Sequence, residues 1–189
     1  VYKRQVYAPA FTNYVEGIYV GYKYYETAAQ EGAIDYDKTI QYPFGYGLSY
    51  TEFEQKMGEL EEKDGQISVD VEVTNTGDVA GKDVVEVYYE PPYTNGGIEK
   101  SSANLIEFAK TDLLQPGESQ TVTVTFSIED MASYDENHAK AYVLEKGDYA
   151  ISINSDSHTV LDQKTYTADK DVVYNCLLYT SDAADEGLG

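Results

Sequence analysis

The stretch Ile67-Ser68-Val69-Asp70-Val71-Glu72-Val73-Thr74-Asn75-Thr76-Gly77-Asp78 sets an apolar side chain beside a polar one at every step up to Val73, then turns. A period of two places Ile67, Val69, Val71 and Val73 on one face and Ser68, Asp70 and Glu72 on the other. β-Branched residues suit that half-buried, pleated surface. Asn, Thr, Gly and Asp then supply the turn. This is a strand of a sheet with one wet face.

The pattern recurs downstream. Val85, Val87 and Tyr89 alternate up to Pro91-Pro92, which have no N–H to give a ladder. Tyr93 to Lys100, with Asn95-Gly96-Gly97, reads as a loop, and Leu105 to Leu114 as a strand region closed by Gln115-Pro116-Gly117-Glu118. Val122, Val124 and Phe126 alternate again. Met131 to Asn137 makes a corner. Ala141 to Leu144 precede the turn Lys146-Gly147-Asp148, and Tyr149, Ile151 and Ile153 follow it. Leu161 to Thr165 forms the last strand. About seven strands at this spacing predict an antiparallel β-sandwich.

Upstream, Val6 to about Lys63 has a different texture. Ile18, Val20, Tyr22 and Tyr24 suggest a strand, and Thr27 to Ala33 a helical turn. Tyr42-Pro43-Phe44-Gly45-Tyr46-Gly47-Leu48-Ser49-Tyr50 interleaves aromatics with Gly and Pro. It reads as a snug connector whose rings are more buried than its backbone is regular. The polar run Glu59-Leu60-Glu61-Glu62-Lys63-Asp64-Gly65 reads as the join to the sandwich.

Composition narrows the partners. The 189 residues carry 13 Lys+Arg against 34 Asp+Glu, a formal charge of −21. Nucleic acid and anionic membrane surfaces need a basic footprint and are poor partners. No apolar run reaches the roughly 18 residues of a bilayer span. The single Cys176 closes no disulfide within the chain and builds no thiolate cluster.

Both ends read as foreign. Cys176 to Glu186 back-translates to a transposon-type sequencing adapter in frame, and Val1 to Gln5 to the reverse complement of part of it. Residues 1–5 and 176–189 are therefore expected to be adapter-derived scars, left out of fold reasoning. The stretch from Val6 to Asn175 is then expected to be a piece of a longer gene. The compartment stays open between cytoplasmic and secreted.

Five stretches carry a family resemblance: Glu16-Gly17-Ile18-Tyr19-Val20-Gly21-Tyr22-Lys23-Tyr24-Tyr25-Glu26, Tyr42 to Phe53, Val73 to Val85, Leu105 to Lys110, and Leu114 to Ser119. In this order they resemble glycoside hydrolase family 3, the β-glucosidase family. The first two are similar to the end of its α/β-sandwich domain, the others to the attached fibronectin type III-like domain. The resemblance implies residues 6–64 as the end of the α/β domain and 65–167 as the fibronectin type III-like domain. Residues 168–175 would begin a linker or next domain. The fold class implied is thus mainly β: an immunoglobulin/fibronectin type III-like antiparallel β-sandwich preceded by a remnant of an α/β domain.

The resemblance also implies a retaining mechanism with a carboxylate nucleophile and a carboxylic acid/base, the two carboxyls about 5–5.5 Å apart. In the family the nucleophile is an Asp on the barrel domain. The acid/base is usually a Glu upstream of the position matching Glu16. Neither motif is present, so no catalytic residue is carried over, and no substrate-binding or metal residue is assigned. The function implied is that of a retaining β-glycosidase acting on terminal β-D-glucosyl residues, this part being structural and inactive alone. The alternative is a non-catalytic carbohydrate-binding or domain-stabilising sandwich. β-Xylosidases share the architecture, so the sugar stays open. The implied partners are a β-glucoside or oligosaccharide and the remaining enzyme domains, with no cofactor.

Several residues invite sharper roles. Glu16 is read as a structural carboxylate rather than an acid. Tyr22, Tyr24 and Tyr25 can stack on pyranose rings, but a Tyr-rich stretch is read as core with its hydroxyls at the rim. Asp35-Tyr36-Asp37 and Asp135-Glu136 lack calcium-loop spacing and are read as solvated charge. His138 and His158 are too few and too distant in sequence for zinc. Ser101 and Ser102 lack a nucleophile-elbow context, and no phosphate-binding Gly pattern precedes a helix.

Overall fold

The computed structural model describes residues 17–174. Its elements are α1 (Tyr22–Gln30), α2 (Tyr36–Thr39), β1 (Phe53–Lys63), β2 (Gln66–Asn75), β3 (Val84–Glu90), β4 (Asn104–Lys110), β5 (Ser119–Ser127), β6 (Ser133–Asp135), β7 (Ala141–Leu144), β8 (Gly147–Asn154), β9 (Val160–Ala168) and β10 (Val172–Tyr174). A 3₁₀ turn at Ile128–Met131 separates β5 from β6. Two antiparallel sheets face each other, one in the order β1-β2-β5 and the other β4-β3-β8-β9. A small sheet, β10-β7-β6, closes one end.

The alternation of the sequence becomes the core. Ile67, Val69, Val71 and Val73 of β2 are buried and meet Val85 and Val87 of β3 and Tyr149, Ile151 and Ile153 of β8, with Val122, Val124 and Phe126 completing the layer from β5. Polar partners on the wet face of β2 and β5 pair across the strands: Asp70 accepts from Thr123, and Ser68 bonds Thr125. The chain is mainly β, as its sequence predicts.

The structure corrects four details. The run Glu59–Lys63 is not a join but the end of β1, which pairs with β2 from Phe53↔Asn75 to Lys63↔Gln66. Asp64-Gly65 does turn the chain, as a two-residue hairpin with φ of 52° and 78°, the left-handed pair that matches strand twist. The sheet thus starts ahead of residue 65, and β10 ties part of 168–175 back to β7. Ala141 to Leu144 belongs to the small sheet, so the seventh strand of the two main sheets is β1.

The fourth correction concerns the start. Tyr22 and Tyr24 lie in helix α1, not in a strand. The expected helical turn at Thr27 to Ala33 is its second half, with Ala33 N–H donating to the Ala28 carbonyl. Helix spacing brings Tyr22 and Glu26 onto one face, which lies on the outer surface of the β4-β3-β8-β9 sheet. Tyr88, Ser152 and Asn154, which would otherwise face water, are consequently buried at 2%, 7% and 2% exposure.

Candidate functional site

Glu26 is the point at which the helical segment is keyed into the sandwich. It is 7% exposed, on a nine-residue helix with no side-chain N-cap. Its Oε1 accepts from the Tyr36 hydroxyl at 2.6 Å and from Ser157 Oγ at 2.7 Å. Its Oε2 lies 2.8 Å from His158 Nδ1. The Tyr36 ring stacks on the His158 ring with centroids 3.7 Å apart and planes 5° from parallel. Burial and the neighbouring Glu26 carboxylate push the Tyr36 phenol well above its ordinary pKa, so it stays a donor.

The β8–β9 loop that presents Ser157 and His158 is itself fixed. Asp156 Oδ1 accepts from the N–H groups of His158 and Thr159, and Ser157 N–H donates to the Phe44 carbonyl at 2.7 Å. Around this centre the helix makes further ties. Leu105 N–H donates to the Tyr22 hydroxyl, and Ser102 N–H donates to Thr27 Oγ1. Tyr22 stacks on Phe44 at 4.5 Å and meets the edge of Tyr88 at 6.3 Å.

Chemically this group is a clasp. Ser157, Glu26 and His158 resemble the components of a nucleophilic triad in the wrong order. The carboxylate sits between hydroxyl and imidazole, so the serine hydroxyl bonds the carboxylate and not the imidazole.

The residues singled out from sequence fall as follows. Glu16 lies outside the described residues. Tyr22 is half-buried as above, whereas Tyr24 and Tyr25 are exposed and pack edge-to-face on each other. Asp35 caps α2 by accepting from Lys38 N–H and pairs with the Lys38 ammonium. Asp135 is buried rather than solvated, and its carboxylate accepts from the N–H groups of Asn137, His138 and Ala139. Those backbone donors, Ala139 and His138 foremost, hold its pKa below the usual carboxylate range. His138 is a surface side chain. Ser101 is buried and donates to Asn104, and Ser102 ties to Thr27. Among the described residues no three His, Cys, Asp or Glu side chains group as metal ligands.

Sequence reasoning missed Glu26 and found His158 only as an isolated residue. The connector reading of Tyr42 to Tyr50 needs correction. Phe44 packs on Tyr22, but Tyr42, Leu48 and Tyr50 are 62%, 89% and 102% exposed. The rings are less buried than the composition suggested. Gly45 nevertheless needs its lack of a side chain: φ is 84°, and a Cβ would stand 2.5 Å from Glu86 Oε2. Gly45→Val should therefore destabilise the docked segment by about 1–3 kcal/mol. Urea denaturation of the variant checks this, and an unchanged midpoint would refute it.

The two facing sheets define a fibronectin type III-like sandwich, and residues 83–157 match the fibronectin type III-like domain family. Beta-glucosidase A of Butyrivibrio fibrisolvens is 39% identical over 182 residues, which covers 86% of this chain and 21% of that protein. The structure of beta-glucosidase 3B from Thermotoga neapolitana, in complex with α-D-glucose, superposes with a TM-score of 0.73 at 34% identity, over 86% of this chain and 21% of its own. A GH3 beta-glucosidase from Bifidobacterium adolescentis gives 0.69 at 30% identity, over 81% and 21%. The chain is thus similar to glycoside hydrolase family 3 enzymes and spans about a fifth of the length of these relatives.

Proposed function

We propose that this chain is the sandwich-bearing part of a retaining β-glycosidase that releases terminal β-D-glucosyl residues, and that it is structural rather than catalytic. The observation that carries the reading is identity of 30–39% to β-glucosidases over more than four-fifths of the chain, in the same fold. The clasp supports the structural half of it. Its carboxylate is held in place by the Tyr36 and Ser157 hydroxyls and by His158, an arrangement suited to joining two segments. We further place the sandwich boundary near Thr51, ahead of β1, with residues 6–50 as the end of the α/β domain.

The aromatic surface supports a neighbour. Tyr24, Tyr25, Tyr42, Phe44, Tyr46, Leu48 and Tyr50 are all exposed within one short helical and loop segment. Apolar groups crowded in this way mark an interaction face, and the remaining enzyme domains are the occupant we assign to it.

The test compares the chain with the full-length gene product on an aryl β-glucoside. The full-length enzyme should turn it over with retained anomeric configuration. The chain alone should give no rate above a heat-inactivated control. Turnover by the chain that is lost in Glu26→Gln would overturn the structural assignment, and an inactive full-length product would overturn the hydrolase.

A further inference from the structure

Helix α1 does not seal against the sheet beneath it. Between them lies a cleft of about 360 Å³, lined by Gln30, Tyr36, Glu90, Ser152, Asn154 and Gln163 among others. That volume falls in the range of small-molecule sites, about 300–1,000 Å³, and far exceeds a single water. We propose that this cleft binds a neutral saccharide unit, at a site separate from any glycosidic chemistry.

Three observations define the ligand. First, Asn154 is 2% exposed and its Oδ1 has no hydrogen-bond partner among the described residues. A buried acceptor of this kind calls for a donor. Second, the polar lining is of the amide and hydroxyl type. Gln30 Nε2 donates to Glu90 Oε1, leaving the Gln30 carbonyl and the second Glu90 oxygen. The side chains of Ser152 and Gln163 show no bond to other described residues. Amides and hydroxyls both donate and accept, as sugar hydroxyls do. Third, the lining contains Glu26 and Glu90 but no Lys or Arg. This disfavours phosphates and uronic acids. A metal ion is not favoured either, since no three ligating groups cluster among the described residues. Tyr36, Tyr88 and Tyr89 supply the apolar side of the wall, as the apolar face of a pyranose requires.

The proposal does not depend on the hydrolase assignment, because the binding is read on the chain itself. Amide NMR spectra of the full chain are titrated with cellobiose, with D-glucose, and with D-glucuronate as the anionic comparison. Saturable shifts at Ser152, Asn154 and Gln163 are expected with cellobiose and glucose, and none with glucuronate. Gln163→Ala sits on the exposed rim and should keep the fold, while weakening cellobiose binding about five-fold, as loss of one hydrogen bond implies. Asn154→Ala should weaken it at least as much. No shifts at tens of millimolar sugar would overturn the proposal. So would shifts confined to the Tyr42–Tyr50 surface, or a Gln163→Ala variant that binds as the unaltered chain does.

Discussion

Glu26→Ala should release the helical segment from the sandwich while leaving the β-core folded. A nine-residue helix is too short to persist in water alone, so α1 depends on what it docks against. The substitution removes the acceptor of Tyr36 and Ser157 and the partner of His158 in one step. Hydrogen bonds to a charged group contribute about 1.5–3 kcal/mol. A local loss of about 3 kcal/mol corresponds to roughly 100-fold faster amide exchange. Exchange at Tyr25 to Gln30 should accelerate by that order, and exchange in β2 and β8 should stay within a few-fold. Equal protection of α1 in the variant and the unaltered chain would refute the clasp.

Glu26→Gln separates charge from shape. Its carbonyl can still accept from Tyr36 and Ser157, while its amide faces His158 Nδ1. If that nitrogen is unprotonated, the amide donates to it and protection survives. If it carries the proton, two donors oppose each other and the segment loosens nearly as in the alanine variant.

The comparison between sequence and structure turns on where period and contact are local. The β2 alternation and the Asp64-Gly65 hairpin were legible because each is encoded within a few residues. Strand β1 was not, for a physical reason. Its register shifts between Met57 and Leu60, where Gly58 packs so closely on Asp70 that a Cβ would stand 2.8 Å from the carbonyl oxygen. Phe53, Gln55 and Met57 face inward and the bulge makes Leu60 the next, so that with a polar Gln55 in the row the apolar positions stand four and three apart and imitate a helix. Helix α1 was misread for the mirror-image reason: Ile18, Val20, Tyr22 and Tyr24 alternate by chance. Ala28 and Ala29 favour helix, and docking through Tyr22 and Glu26 completes it. The clasp had no local signal, since Glu26 and His158 stand 132 positions apart. The outward face of β8 betrayed its cover only faintly, through Ala150 and Ser152 where longer charged side chains would otherwise stand.

Raising the pH above 10 should unfold this domain steeply, and its tyrosines should report the event. Tyr88 and Tyr149 are 2% and 1% exposed. Burial raises both phenols well above their ordinary pKa. The Glu86 carboxylate, which accepts from the Tyr88 hydroxyl at 2.8 Å, adds to the effect on Tyr88, and the Glu145 charge adds to that on Tyr149. Half-buried Tyr89 is pushed up to about 12 by burial. A folded pKa above the unfolded value means that the unfolded chain loses its protons first. The contribution is therefore whole below about pH 10 and declines as pH rises, by about 1.4 kcal/mol per unit for each such group. Tyr88 and Tyr149 together should lose about 4 kcal/mol by pH 11.5, a large part of a typical domain stability of about 5–15 kcal/mol. Urea midpoints measured from pH 8 to 11.5 should stay level and then fall. Tyrosinate absorbance should rise in two steps, the second, from the buried rings, only with unfolding. The charge of −21 adds alkaline repulsion of its own, and the double variant Tyr88→Phe/Tyr149→Phe separates the two causes. It should keep its midpoint to higher pH than the unaltered chain if buried phenols drive the transition, and fall at the same pH if general repulsion does. Titration of all tyrosines in one step near pH 10, with the fold intact, would defeat the account.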